Sequence, residues 1–206
     1  MSTNFFILPS KIYIPSYKQI IDLANVNTNA FLLNIGIHRE IDIQANLQNI
    51  KTHKLLNWCP DDKIVHNEGE YVWFYVSGVP GGTDCWYHKN LPIFEKVWKD
   101  ELYTNPNAQK HKKIIMENLS IGYQWSFRRS AGQPGIVCLI YGILAAALAE
   151  LTDGVIYSDD GAWDNSMLPT TFDDFIEKYF NTNFTENKDC IAFANDCIKL
   201  IKNELL

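Results

Sequence analysis

The most apolar segment of the chain is "PGIVCLIYGILAAALAEL", which begins at Pro134 and ends at Leu151. Its unbroken apolar part, 136–149, has about 14 residues, whereas a helix that crosses a bilayer needs about 20. A helix that is apolar on every side must instead be surrounded by other elements of the same protein. We therefore predict a buried central helix over 134–151, with Gly142 and the alanines at 145–147 letting neighbouring elements approach closely.

Several segments have the composition of β-strands. In "EYVWFYVSGVPGGTDCWYHK" two aromatic-rich runs flank a glycine-rich turn, which predicts a β-hairpin. Shorter strands are predicted for "NFFILP", "SIGYQWSFRR" and "DGVIYS". The segment "AFLLNIGIHREIDIQ" is also β-like, because isoleucines recur at even spacing at Ile35, Ile37, Ile41 and Ile43.

Helices are predicted between these strands. Apolar residues recur at helical spacing in "PSYKQIIDLAN", "NLPIFEKVWKDELY" and the C-terminal "DCIAFANDCIKLIKNELL", whereas "NVNTN" at 25–29 has the composition of a loop. Thr170 or Thr171 is suited to cap the helix "FDDFIEKYF". Strands and helices do not alternate regularly. We therefore expect one α+β domain over 1–206, with a mixed or mainly antiparallel sheet packed against the buried central helix and further helices.

Composition is that of an ordinary globular protein, with 47% hydrophobic and 20% charged residues. The N-terminus lacks the pattern of a secretory signal. The five cysteines are widely spaced and form no CxxC pair, which is typical of reduced thiols. These features predict a cytoplasmic protein, in which Cys138, inside the apolar helix, is expected to be inert.

One segment holds the whole acidic excess of the chain. The net charge is −6, yet Asp153 to Glu177 contains seven acidic residues and no Lys or Arg. The rest of the chain has 17 acidic and 18 basic residues. This balance argues against a protein that binds nucleic acid directly, because such proteins carry a basic excess. Whether these carboxylates form a catalytic or metal site or an anionic surface for a basic partner stays open at this point.

The motif "SDDGAWD" does not match a known metal site. Neither Asp159 nor Asp160 starts a loop with oxygen ligands at positions 3 and 5 and a glutamate at position 12, as a calcium-binding EF-hand requires. The histidines lack the spacing of zinc ligands, and the glycines at 78–82 lack a phosphate-binding pattern. We expect no metal and no cofactor.

Two alternatives stay open around this segment. Adjacent Arg128 and Arg129, just before a helix, suit the binding of a phosphate or carboxylate. The favoured interpretation is structural: one arginine pairs with a carboxylate of the 153–164 segment and holds that loop. Trp163 is either a core residue that holds the loop or an exposed anchor for a partner.

The block "GYQWSFRRSAGQPGIVCLIYGILAAALAELTDGVIYSDDGAWDNSMLP", about a quarter of the chain, resembles immunity proteins of bacterial polymorphic toxin systems. These systems include contact-dependent growth inhibition, Rhs and type VI secretion loci. The resemblance implies a cytoplasmic protein that binds one cognate toxin domain tightly and blocks its active site or substrate surface. Many such toxins are nucleases with basic grooves, which agrees with the charge pattern.

The leading hypothesis is therefore a toxin-neutralising protein that is not an enzyme, with no membrane contact and a basic, nuclease-like partner. The predicted partner-binding residues are the acidic residues of the segment and its tryptophan: Asp153, Asp159, Asp160, Trp163, Asp164, Asp173, Asp174 and Glu177. The alternative is a hydrolase or transferase that uses Asp159, Asp160 or Asp164 with Arg128 or Arg129. A third hypothesis is an adaptor protein with an aromatic contact surface.

Overall fold

The computed structural model describes residues 2–205 and contains one antiparallel sheet with helices on both faces. The strands lie in the order β2-β3-β4-β5-β1-β6, and every neighbouring pair is antiparallel. This confirms the α+β prediction. The strands are β1 (Ser2–Leu8), β2 (Ile43–Asn49), β3 (Glu70–Val76), β4 (Thr83–Lys89), β5 (Tyr123–Ser130) and β6 (Val155–Tyr157).

The helices occupy the segments between the strands and the end of the chain. They are α1 (Tyr17–Asn34), α2 (Pro92–Thr104), α3 (Pro106–Lys110), α4 (Lys112–Ile121), α5 (Gly135–Leu151), α6 (Phe172–Lys178) and α7 (Lys188–Leu205). Thr171 occupies the N-cap position of α6, although its side chain makes no capping hydrogen bond. Asp173 and Asp174 lie in the first turn of α6, where the helix dipole favours negative charge.

Helix α5 is the buried centre of the fold, as the sequence predicts. All its residues from Gly135 to Ala149 are buried, and it packs on the inner face of the sheet between α1, α6 and α7. Two glycines permit these close contacts. A Cβ at Gly142 would lie 2.3 Å from the ring of Tyr179, and a Cβ at Gly135 would lie 2.5 Å from the carbonyl oxygen of Cys197.

The prediction of a loop at 25–29 is wrong, because these residues lie in the middle of α1. Their side chains fasten α1 to the chain that enters β2. The Asn25 side chain accepts a hydrogen bond from the backbone N–H of Ile43, at 2.9 Å, and Asn29 makes two bonds to the backbone of Ile41. The strand predicted around Ile35 and Ile37 is also wrong. These residues lie in the connection between α1, which ends at Asn34, and β2, which begins at Ile43.

The two faces of the sheet are covered differently. On the outer face, helices α2 to α4 cover the β1 and β6 side with a small apolar cluster that includes Leu8, Trp98, Ile115 and Tyr157. The main helix contacts of β2 and β3 are made by α1 and α5, which lie on the inner face. A part of the outer face, centred on β3, β4 and β5, is therefore left without a helix.

No helix within 2–205 combines the length and the apolar character needed to cross a membrane.

Candidate functional site

The acidic residues of the 153–177 segment are spread over the molecule. Asp153 is exposed before β6 and pairs with Lys11, whereas Asp159 and Asp160 are exposed after the strand ends. The strand and its flanking residues separate Asp153 from Asp159 by on the order of 20 Å, at about 3.3 Å per residue. Asp173, Asp174 and Glu177 are exposed on α6. The segment therefore does not form one continuous acidic patch.

Trp163 lies in the core and cannot serve as an exposed anchor. Its side chain is 2% exposed, and its ring stacks on Phe180 at an interplanar angle of 11°, with Tyr179 against its edge. Asp164 is also buried, where it accepts hydrogen bonds from Ser166 and Thr185. Trp163 is therefore a core residue that holds the loop. The hydrogen bonds of Asp164 help to fix the shape of the same loop.

The two arginines point to opposite faces of the sheet, because side chains alternate along β5. Arg128 lies on the outer face and donates two hydrogen bonds to Asp84, at 2.8 Å from Nε and 2.6 Å from Nη2. Arg129 lies on the inner face beside Thr3 and Cys138. The predicted pairing with a carboxylate of the 153–164 segment is therefore wrong, and the two arginines cannot grip one anion together.

The uncovered part of the outer face forms a shallow cavity of about 450 Å³. We call it the open face, and it is defined by Asn4, Tyr71, Asp84, Trp86, His88, Ser126 and Arg128. Phe6 and the residues Ile50 and His53 of the loop after β2 complete its lining. Its side chains come from four neighbouring strands, so the backbone hydrogen bonds of the sheet hold them in fixed relative positions.

Contacts between neighbouring strands order the open face before anything binds. The rings of Tyr71 and Trp86 stack with their centroids 5.0 Å apart. His88 Nε2 and Ser126 Oγ are 2.8 Å apart and share a hydrogen bond. Burial raises the pKa of Asp84, although its hydrogen bonds from Arg128 act in the opposite direction. The result is a shallow cavity lined by aromatic rings and hydrogen-bonded polar groups, in which Tyr71, Asp84 and Ser126 are no more than 9% exposed.

His88 and Ser126 have the spacing of a base and a nucleophile, but this contact is only part of a catalytic arrangement. Burial lowers the pKa of His88, which keeps the imidazole neutral near pH 7. A working pair also needs a group that orients the imidazole. The carboxylate on this face, Asp84, is bound to Arg128 instead.

Two of the predicted partner-binding residues adjoin the open face. The carboxylate of Asp160 accepts hydrogen bonds from the backbone N–H of Asn4, at 2.9 Å, and from the Asn4 side chain, at 2.8 Å. Asp159 lines a small cleft beside α2 together with Phe6, which also lines the open face. Asp159 and Asp160 therefore form an acidic border along the β1 side of the open face.

Within 2–205 no three His, Cys, Asp or Glu side chains come close enough together to hold a metal ion.

The open face was not predicted from the sequence, although the alternation of β3 and β4 contains the signal. Val72, Phe74 and Cys85 point to the core, so the residues between them must point outward. In "EYVWFYV" they are the aromatic Tyr71, Trp73 and Tyr75, and in "TDCWYHK" they include Trp86, whereas a solvated sheet face is ordinarily polar. Aromatic residues on both faces of one hairpin are a usable sign of a contact surface.

Comparisons with protein-family models, with curated proteins and with solved structures found no significant match to this chain.

Proposed function

We propose that this protein is a binding protein that neutralises another protein, in the manner of the immunity proteins that its central block resembles. In this proposal the open face and its acidic border bind the partner. The observation that carries the proposal is the half-buried Trp86, stacked on Tyr71, in a part of the sheet that no helix covers. Aromatic rings at the surface of a rigid sheet are typical of protein contact surfaces.

Rigidity favours tight binding at this surface. Side chains that are already ordered lose little conformational entropy when a partner arrives, so more of the contact energy appears as affinity. Trp86 is held by Tyr71, and Arg128 is held by its two hydrogen bonds to Asp84. A partner that covers this face would not leave Asp84 or Arg128 as an unpaired charge.

The charges around the open face favour a basic partner. The Arg128 and Asp84 charges offset each other in its centre, whereas Asp159 and Asp160 add negative charge at its border. Border charges of this kind accelerate association with a surface of opposite sign. The groove of a nuclease-like toxin domain has the required positive charge, and the protein would act by covering that groove.

A growth assay tests this proposal. Cells that produce a candidate toxin domain, chosen from genes next to the one for this chain, are expected to grow only when the wild-type chain is also produced. Trp86→Arg should abolish this protection, because it places a cation on the face that meets a basic partner. Leu33→Arg is the matched control, since Leu33 is 55% exposed on α1, on the other side of the sheet.

The two parts of the proposal fail in different ways. If the wild-type chain neither binds nor protects against any such domain, the neutralising function is wrong. If the wild-type chain and Trp86→Arg protect equally and both are folded, the function stands but the open face is not the binding surface. Circular dichroism and a thermal melt establish that both arginine variants are folded.

A further inference from the structure

Arg129 is a largely buried cation with an unusual set of neighbours. Its guanidinium lies between two rings, with its central carbon 4.9 Å from the centroid of Phe193 and 5.6 Å from that of Tyr141. Among the described residues, no carboxylate oxygen lies within 4 Å of it, and its Nε has no hydrogen-bond partner. Cys138 is the neighbour that can supply a negative charge. Its Sγ lies 3.6 Å from Nη1 of Arg129, and a thiol becomes negative when it ionises.

Cys138 on α5 faces Cys197 on α7. The neighbouring Cys197 thiol and the charge of Arg129 lower the pKa of Cys138 to about 7, although burial acts in the opposite direction. The Cys138 thiol and burial raise the pKa of Cys197, so Cys138 is the thiol of the pair that ionises more readily. Each cysteine is 3% exposed.

The two helices approach each other closely at this point. A side chain at Gly135, one turn before Cys138, would collide with the backbone of Cys197 and Ile201. The carboxylate of Glu204 binds the N–H groups of Gly135 and Ile136, which fixes the end of α7 against the start of α5. A disulfide requires such closeness, because the two Cα atoms that it joins lie about 4.4–6.8 Å apart.

We infer that Cys138 and Cys197 form a dithiol that hydrogen peroxide oxidises to a disulfide joining α5 to α7. A thiolate beside an arginine is the reactive form of cysteine, whereas a buried thiol without such a neighbour is inert. Arg129 also lines a surface cavity of about 570 Å³, which brings solvent to the guanidinium that contacts Cys138. The inference does not depend on the proposed function of the open face.

The chemistry requires one peroxide molecule for each disulfide. The Cys138 thiolate attacks one peroxide oxygen, the O–O bond breaks, and the released hydroxide takes a proton and leaves as water. Cys138 is then a sulfenic acid. Cys197 loses its proton and attacks Sγ of Cys138, the S–O bond breaks, and a second water leaves. Two thiols are oxidised by two electrons, and the peroxide is reduced to two waters.

Mass spectrometry of the folded protein tests this inference. Treatment with limited hydrogen peroxide should reduce the free thiols from five to three and yield one species lighter by two hydrogens. Peptide mapping without reductant should join the peptides that contain Cys138 and Cys197. The disulfide should raise the melting temperature, by on the order of 5–10 °C for a loop of this length, and a thiol reductant should reverse the rise.

Variants separate this reaction from general oxidation. Cys138→Ser and Cys197→Ser should each abolish the internal disulfide, whereas Cys190→Ser, on the same helix as Cys197, should leave it intact. Arg129→Gln should slow the reaction several-fold, because the thiolate loses its cation. If Cys138 and Cys197 stay reduced in the folded wild-type chain while the exposed Cys59 reacts, the inference is wrong. Mapping of the wild-type chain decides this even if a serine variant does not fold.

Discussion

The indole of Trp86 stacks on the phenol ring of Tyr71 across strands β3 and β4, with ring planes inclined by 21°. Trp163 stacks as well, but on Phe180 and inside the core. The two tryptophans therefore make similar ring contacts in opposite surroundings. Truncation of Trp86 should weaken binding of the partner, whereas truncation of Trp163 should lower the stability of the fold.

Trp163→Ala should lower the free energy of unfolding by about 3–5 kcal/mol, because a fully buried ring is lost and a cavity remains. Trp86→Ala should have a clearly smaller effect, since one side of that ring already faces solvent. Urea denaturation of both variants beside the wild-type protein measures the difference. A Trp163→Ala protein as stable as the wild type would show that this ring does not belong to the core.

Asn29→Ala should lower the free energy of unfolding by about 1–3 kcal/mol. Its side chain bonds both the N–H and the carbonyl of Ile41, and the variant leaves these two partly buried groups without a partner.

Asn27→Ala is the matched control for Asn29→Ala. The Asn27 side chain bonds the carbonyl of Leu23, one turn earlier in the same helix, and alanine has the higher helix propensity. Asn27→Ala should therefore be neutral or slightly stabilising. An equal loss of unfolding free energy in Asn27→Ala and Asn29→Ala would contradict this account. It would show that the hydrogen bonds of Asn29 to Ile41 are not the source of the effect.

The error at 25–29 shows where sequence reasoning stops. Asparagine favours turns because its side chain competes with the backbone for hydrogen bonds. In α1 the side chains of Asn25 and Asn29 find their partners in a segment that is 12 to 18 residues away along the chain. Such long-range partners are invisible in a local pattern. The 134–151 helix could be predicted because its apolar character requires burial whatever surrounds it.

The candidate site shows the same limit. Composition locates the acidic excess in 153–177. Strand β6 lies within that segment, however, so Asp153 and the acidic residues after the strand lie in different parts of the molecule. Pairing of Arg128 with Asp84 depends on the register between β4 and β5, in which these two residues lie opposite each other. The sequence contains both residues without indicating that register. Alternation along the hairpin, by contrast, would have been sufficient to place Tyr71 and Trp86 on the outward face, although this was not predicted.

His66 should make the protein less stable in mild acid. Its Nε2 accepts a hydrogen bond from the backbone N–H of Tyr87, at 3.0 Å, and burial lowers its pKa to about 4. Between pH 4 and the ordinary histidine pKa of about 6.5, the unfolded chain binds a proton that the folded chain does not. The stabilisation is therefore complete above about pH 6.5 and falls as the pH decreases towards 4, by on the order of 3 kcal/mol.

Urea denaturation near pH 7 and near pH 5 measures this effect. His66→Gln should lose less stability between the two conditions than the wild type, because the glutamine oxygen can accept the same hydrogen bond and does not titrate. His38→Gln, at an exposed position, should lose as much as the wild type. An identical loss in all three proteins would show that His66 is not the group responsible.

The most direct test of the open face is the kinetics of binding to a cognate toxin domain, measured with immobilised toxin at low and moderate salt. Trp86→Ala should mainly raise the dissociation rate, with a loss on the order of 2 kcal/mol, or about 30-fold in Kd. Asp159→Asn combined with Asp160→Asn should lower the association rate and weaken its salt dependence, whereas Asp173→Asn with Asp174→Asn should not. Unchanged rates for the Trp86 and Asp159/Asp160 variants, with a loss in the Asp173/Asp174 variant, would contradict binding at the open face and assign the partner to α6.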